Sequence, residues 1–273
     1  MAQQIIIEPD NGWLRLHLKE LLAHRELIGF LARRDIMAQY KQAFFGVGWA
    51  VVRPVFAVGV YSLVFGKVAG LSSSGIPYPL FTLCGVVAWS LFATSLDQAT
   101  ISLIANTNLV TKVYFPRLVL PLASLGRGLM DLIVALAILA ILMVFYGYVP
   151  GVTAWLFLFF LAAALVLAVG IGLFTSALCA RYHDVKFAIP FFIQMWFWIT
   201  PVAYGLENVP SHLRLFFHLN PMTWIIQGFR WSLLGVGDMN PFHLIMTAAI
   251  SLLLFVGGLY YFRRYESEFA DII

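Results

Sequence analysis

Six long apolar runs constrain this chain more than any other feature. They cover roughly Val47–Phe65, Leu80–Leu103, Leu118–Tyr148, Trp155–Leu178, Ala188–Tyr204 and Phe242–Phe262. Most have the ~17–25 residues that a helix needs to cross the ~30 Å core of a bilayer, and the third is long enough to extend past it or break. Lipid leaves no water for unpaired backbone groups, so a span is a helix or part of a closed barrel. Barrel strands alternate apolar and polar residues, whereas these runs are apolar on every face. The expected fold is an all-α integral membrane protein with six transmembrane helices. Composition agrees, with 62% hydrophobic and 11% charged residues, against ~25% charged in a soluble domain. Pro54 is expected to kink the first span.

An even number of spans puts both termini on one side, and Lys and Arg choose the side. Twelve of them lie in segment 1–46, in the junctions after the second and fourth runs, and in the tail; three lie on the other face. Both termini are therefore expected in the cytoplasm. The start, MAQQIIIEPDNGW, lacks the charged and apolar regions of a cleavable signal peptide. Residues 1–46 read as a cytoplasmic N-terminus and 47–273 as the membrane domain, with a cytoplasmic tail at 263–273. Within the N-terminus, Leu14, Leu18, Leu21, Leu22 and Ile28 recur at helical spacing, with Arg15, Lys19, Glu26 and Arg33 on another face. This pattern predicts an amphipathic helix over 13–31, lying at the membrane boundary or packed on its own protein.

Between the fifth and sixth runs stands HLNPMTWIIQGFRWSLLG, His218–Gly235. Its apolar stretch, Met222–Leu234, would be about 20 Å long as a helix, too short to cross. Pro221 suits a first helical turn with Asn220 as its cap. Together with Glu207–Leu219 it predicts a re-entrant helical hairpin at about 205–236. Such backbone is tolerated at membrane depth where it is buried in protein or lines a cavity. The hairpin is read either as part of a pathway's outer mouth or as a rigid plug.

The chain shows no chemical engine. Gly66-Lys67 is followed by Val68 and preceded by Tyr61 where a phosphate-binding loop needs Ser/Thr and Gly. There is no H-E-x-x-H and no G-x-S-x-G; the six His are scattered, and the two Cys lie in apolar runs. No catalytic residue and no metal site are expected. The net charge of +4 is set by topology and does not argue for nucleic acid. Arg127 and Asp131 stand at i, i+4 and predict an internal salt bridge, with Asp97 a further intramembrane carboxyl. Arg53, beside Pro54, is expected to snorkel to the boundary. No internal repeat favours a secondary transporter of inverted halves. Aromatic residues reach 16%. Interfacial belts and packing explain many of them, yet sugars also stack on such rings. Candidate glycan contacts are Trp49, Tyr61, Trp89, Phe92, Trp196, Trp198 and Tyr204.

A set of short motifs now carries a resemblance. Arg34-Asp35, Tyr40-Lys41, Gly46-Val47-Gly48-Trp49-Ala50 and Arg53-Pro54 open it, and Asn106-Thr107-Asn108-Leu109-Val110-Thr111-Lys112-Val113-Tyr114-Phe115-Pro116-Arg117 continues it. Arg181-Tyr182, Thr200-Pro201-Val202, Leu219-Asn220-Pro221-Met222, Gly228-Phe229-Arg230 and Phe262-Arg263-Arg264 with Glu266 complete it. In this order they resemble type-2 ABC exporter permeases for polysaccharides: the O-antigen (Wzm-like), teichoic acid (TagG-like) and capsule (KpsM-like) permeases. Cys179 and His183 are mild departures.

The resemblance implies no cofactor in this chain, with ATP and magnesium on a separate ABC ATPase. Two ATPases and a second copy of the permease would complete the transporter, and the substrate would be an undecaprenyl-pyrophosphate-linked polysaccharide. Arg15 and Lys19 would belong to the interface helix. Asn108, Leu109, Lys112, Tyr114, Phe115 and Arg117 would form the main coupling contact. Arg33, Arg34, Lys41 and Arg53 would meet the pyrophosphate or form a cytoplasmic gate, or else anchor the chain by charge. Asn220, Pro221, Trp224 and Arg230 would shape the outer exit. O antigen is the expected substrate class, and the competing reading is a permease of the same architecture for teichoic acid, capsule or a small molecule.

Overall fold

The computed structural model describes residues 23–41 and 48–269. Helix α1 covers Arg25–Lys41. Helix α2, Gly48–Tyr61, carries Pro54 inside it and widens into a π-helical turn at Ser62–Val68. Helix α3 is Tyr78–Ala105, α4 the short Thr107–Lys112, and α5 Val119–Phe145. A 3-10 turn at Val152–Leu156 leads into α6, Phe157–Arg181. Then come α7, Val185–Trp198, the short α8, Arg214–Leu219, and α9, Pro221–Leu234. Helix α10, Pro241–Tyr265, closes the order. No strand occurs among the described residues.

Among the described residues, five helical segments are long and apolar enough to cross a bilayer: Gly48–Val68, Tyr78–Ala105, Val119–Phe145, Val152–Arg181 and Pro241–Tyr265. The chain is a multi-pass membrane protein, but the expected sixth span is not of that length. The run Ala188–Tyr204 splits into the 14-residue α7, about 21 Å long, and a non-helical turn over 199–205. Pro201 explains the break. It has no N–H to donate, and it drives the preceding residue away from helical geometry. The third run, by contrast, holds together as one helix of 27 residues.

Helix α3 is the centre of the bundle, in contact with α2, α5, α6, α7 and α9. Its most apolar window is 78% buried, against 11% for α2 and 17% for α10. The outer helices thus keep wide apolar faces for lipid or another protein. Without a hydrophobic drive between helices in lipid, close packing and polar links decide the contacts. Thr100 on α3 and Thr175 on α6 share a hydrogen bond of 2.7 Å. Helices α6 and α10 cross backbone against backbone, because a Cβ on Gly258 would strike the Gly170 carbonyl oxygen.

Helix α1 lies against α5, where Gly126 leaves room for Ala32 and Leu31 is buried. Of the amphipathic helix expected over 13–31, the part from Arg25 falls in α1, which runs on to Lys41, and 13–22 lie outside the described residues. Arg15 and Lys19 lie outside the described residues. The predicted hairpin is two helices, but its first limb is mostly irregular. Glu207–Leu219 begins within a 3-10 turn at Leu206–Asn208 and has only six α-helical residues. Helix α9 is the buried limb, packed on α3, α6 and α10, and Gly235 ends it at φ 69°. That left-handed turn is one glycine adopts without penalty.

Candidate functional site

The junction between α3 and α5 is tied down on two sides. Asn106 ends α3 and starts α4. Its Nδ2 donates to the Ser102 carbonyl at 2.8 Å, and its Oδ1 accepts from Arg34 Nη2 at 2.7 Å. Arg34 also holds Asp35, through Nε at 2.9 Å and Nη2 at 2.7 Å. On the other side, the Arg117 amide donates to Glu266 Oε1 at 3.1 Å, and its guanidinium meets the Glu266 carbonyl. Arg263 pairs with Glu266 Oε2 at 2.7 Å. Helix α1 and the end of α10 therefore clamp one short segment.

The segment between these ties is divided by burial. Phe115 turns inward, 8% exposed, into a core with Leu31, Leu103, Val110, Leu118, Phe262 and Phe269. Tyr114 beside it is 85% exposed. Asn108 and Lys112 are also exposed, and Leu109 is half-buried. Phe115 anchors the segment, while Tyr114, Lys112 and Asn108 form its free edge. Of the predicted basic gate, Arg34 is engaged in this clamp. Arg33 is exposed on α1. Lys41 ends α1, and its side chain is not among those described.

Arg53 lies elsewhere, on α2. With Trp49 it lines a cavity of about 390 Å³ shared by α1, α2, α3 and α5. Gln39, Ser90, Thr94 and Asp131 contribute the other polar groups. Asp131 was expected to pair with Arg127. The Arg127 guanidinium instead donates across to Gln98 Oε1 on α3, and Gln98 Nε2 donates to Asp97 at 3.1 Å.

The predicted glycan aromatics divide into two sets. Trp89 is 7% exposed and Phe92 0%. They pack with Trp196 and Phe197 at centroid distances of 5.1–6.4 Å. Trp89 and Phe92 belong to the buried core of this chain. Nothing in a local apolar pattern separates a ring facing a neighbouring helix from one facing a pore. Tyr61 is half-buried and stacks on Phe197 at 5.6 Å. Trp196 is half-buried and donates to Asn220 Oδ1 at 3.1 Å. Trp198 is exposed, and Tyr204 donates its hydroxyl to the Trp198 carbonyl at 2.8 Å.

At the far end of the bundle a buried arginine organises the turn over 199–205. Arg230 on α9 has no exposed surface. It donates to the carbonyls of Pro201 at 3.0 Å, Val202 at 2.6 Å, Tyr204 at 3.4 Å and Phe81 at 3.4 Å. Its guanidinium carbon lies 3.6 Å from the Phe81 ring centroid. The Tyr78 hydroxyl takes the remaining Ala203 carbonyl at 2.7 Å. Four successive carbonyls thus each meet a side-chain donor from another element. Gly85 makes room, since a Cβ there would strike the Val202 oxygen.

Asn220 is the second organiser of this end. Its Oδ1 caps α9 through the Met222 amide at 3.0 Å, and its Nδ2 donates to Thr200 Oγ1 at 2.8 Å. Pro221 is buried in the first turn. Trp224 donates to the His218 carbonyl at 2.9 Å and stacks on His243 of α10 at 3.6 Å.

Residues 26–234 match the pattern of the ABC-2 type transporter family. The chain belongs to that family. Relatives of this ABC-2 permease include the O-antigen export system permease protein RfbA of Myxococcus xanthus. It is 27% identical over 94% of this chain and 98% of its own length. The protein of the same name from Klebsiella pneumoniae is 27% identical over 91% and 95%. The polysialic acid transport protein KpsM of Escherichia coli is 22% identical over 86% and 92%. Membership implies an ABC ATPase as the partner of this permease.

Asn106 and Glu266 were legible as motif residues, but no role in the clamp was assigned to them from sequence. Gln39, Ser90, Thr94 and Asp131 carry no local signal for a shared cavity. They come from three helices, and only packing joins them.

Proposed function

We propose that this chain is the membrane subunit of an exporter of undecaprenyl-pyrophosphate-linked polysaccharide, with O antigen as its substrate class. It would work in the bacterial inner membrane with both termini in the cytoplasm, as two copies with two ATPase subunits. The observation that carries the reading is similarity over nearly the full length to O-antigen export permeases from two organisms.

The physical need is clear. A glycan cannot cross the hydrocarbon core alone, because its hydroxyls would go unpaired. Closure of the ATPase dimer would push on the segment around Asn108, Lys112 and Tyr114. The ties through Arg34 and Glu266 would pass that motion to α1 and α10. The α8–α9 pair would enter the membrane from the outer side and shape the exit. Exposed rings such as Trp198 would hold successive sugars while the ATPase cycles.

The test is a strain lacking only this chain, with lipid-linked polysaccharide located by antibody or lectin on either side of the inner membrane. Finished glycan trapped on the cytoplasmic face is the expected result. Glycan that still reaches the outside would sink the reading and promote a small-molecule exporter.

A further inference from the structure

Of the 14 residues of α7, only Phe197 is buried. Phe187, Phe191, Gln194 and Trp198 follow one another at helical spacing, so they share one face, and all four are exposed. Every other exposed side chain of α7 is aromatic or aliphatic. Gln194 is the exception. Among the described residues its amide has no hydrogen-bond partner.

Its depth follows from its neighbour Trp196, whose ring lies 5.1 Å from that of Phe92. Phe92 stands at the middle of the 28-residue α3, a helix long enough to span the bilayer. Gln194 is two residues from Trp196, about 3 Å along the axis. The amide therefore lies near mid-depth of the bundle, and its side chain is too short to reach either boundary.

The chemistry selects what faces it. Lipid would leave a carbonyl oxygen and an NH2 group unpaired in hydrocarbon, which is costly. A helix of a second copy packs closely where small residues line the contact, whereas Phe191 and Trp198 flank this amide. A sugar suits both features. Neighbouring hydroxyls donate to the amide oxygen and accept from the NH2, and the C–H face of the ring packs on an aromatic side chain one turn away.

We propose that Gln194 is a specificity-determining sugar contact on the export path, pairing with hydroxyls of a passing residue while Phe191 or Trp198 carries its apolar face. The assignment rests on the polysaccharide reading above. It adds discrimination to the path. Ring stacking tolerates many hydroxyl configurations, but an amide needs a donor and an acceptor placed together, and a sugar lacking one of them leaves it unpaired.

The test is thiol labelling of Gln194→Cys in the full-length chain with its ATPase partner, in membrane vesicles. Cys84→Ala and Cys179→Ala first remove the two natural thiols. The probe is a charged, water-soluble methanethiosulfonate, alone and with the oligosaccharide released by mild acid from the strain's own lipid-linked polysaccharide. Gln194→Cys is expected to react roughly tenfold faster than Leu253→Cys, because a charged reagent enters hydrocarbon poorly. Leu253 lies on α10 and is 72% exposed. The oligosaccharide should slow the Gln194→Cys reaction. In the chain with its own cysteines, Gln194→Leu should slow export roughly three- to tenfold, the value of one hydrogen bond, and leave thermal stability unchanged. Gln194→Asn keeps the amide and should export faster than Gln194→Leu.

Labelling no faster than at Leu253→Cys would assign the face to lipid and overturn the contact. So would an oxidative cross-link between two Gln194→Cys copies without reaction with the charged reagent, which assigns the face to a second copy. Labelling that the oligosaccharide does not slow overturns it as well. Should the chain without natural thiols fail to fold, equal export by wild type and Gln194→Leu is the overturning result. The deletion strain decides the polysaccharide reading by itself. If that strain traps glycan inside while the thiol stays unprotected, the transport function stands and the Gln194 assignment alone is lost.

Discussion

Arg230 Nη2 and the Val202 carbonyl oxygen meet at 2.6 Å across 28 residues of chain. This contact joins the buried helix α9 to the turn that ends α7. It replaces, for a non-helical stretch, the backbone hydrogen bonds that a longer α7 would have made. A guanidinium suits the task because it offers five donors in a fixed plane.

Removing Arg230 should therefore destabilise the protein more than a typical core change. Arg230→Leu leaves the Pro201, Val202 and Tyr204 carbonyls without their donor, at about 1–3 kcal/mol for each buried group left unpaired. Arg230→Lys should recover part of the loss. Thermal unfolding followed by fluorescence-detected size exclusion checks the order wild type, Lys, Leu.

The link between Arg34 and Asn106 predicts a different signature. Arg34 is 41% exposed, so Arg34→Ala should cost under about 1 kcal/mol of stability. Export should fall nonetheless. Asn106→Ala should fall with it, and the double variant should be little worse than either single one. Independent, additive losses in an export assay would contradict a shared link.

Tyr114 and Phe115 are neighbours with opposite tasks. Tyr114→Ala should leave thermal stability within about 0.5 kcal/mol, as a surface substitution does. It should weaken co-purification of the ATPase subunit. Phe115→Ala should cost about 3–5 kcal/mol through the cavity it leaves. Melting and pull-down measurements on the two variants separate anchor from docking edge.

The crossing of α6 and α10 has no room for a side chain. Gly258→Val should force the helices apart at the Gly170 carbonyl, and the expected outcome is loss of folded protein from detergent extracts. Gly257→Ala, with nothing within 4 Å of its added Cβ, should be tolerated. A folded, active Gly258→Val protein would show that the crossing adjusts.

The aromatic residues give a further contrast. Phe92→Ala should lower stability by about 3–5 kcal/mol, because Phe92 is fully buried. Trp198→Ala should change stability little, since the ring is 48% exposed, and should slow export. Parallel melting and export measurements distinguish a packing ring from one that meets substrate.

The sequence by itself determined the all-helical membrane class, five of the six expected spans, the Asn220 cap and Pro221 start of α9, and the family motifs. Those features are local. Hydropathy sums over neighbours in the chain, and a cap acts within a few residues. The end of α7 has a local cause in Pro201, but that the non-helical backbone beyond it is held by Arg230 was not legible. Arg127 likewise took Gln98 on another helix, although Asp131 lies one turn further along the same helix. Which rings are core, which polar groups share a cavity, and which ends clamp the junction were decided only by tertiary structure. The reason is physical: in a bundle of helices that are apolar on most faces, the face a residue presents is set by close approach between helices. That approach depends on small residues and polar pairs far apart in sequence.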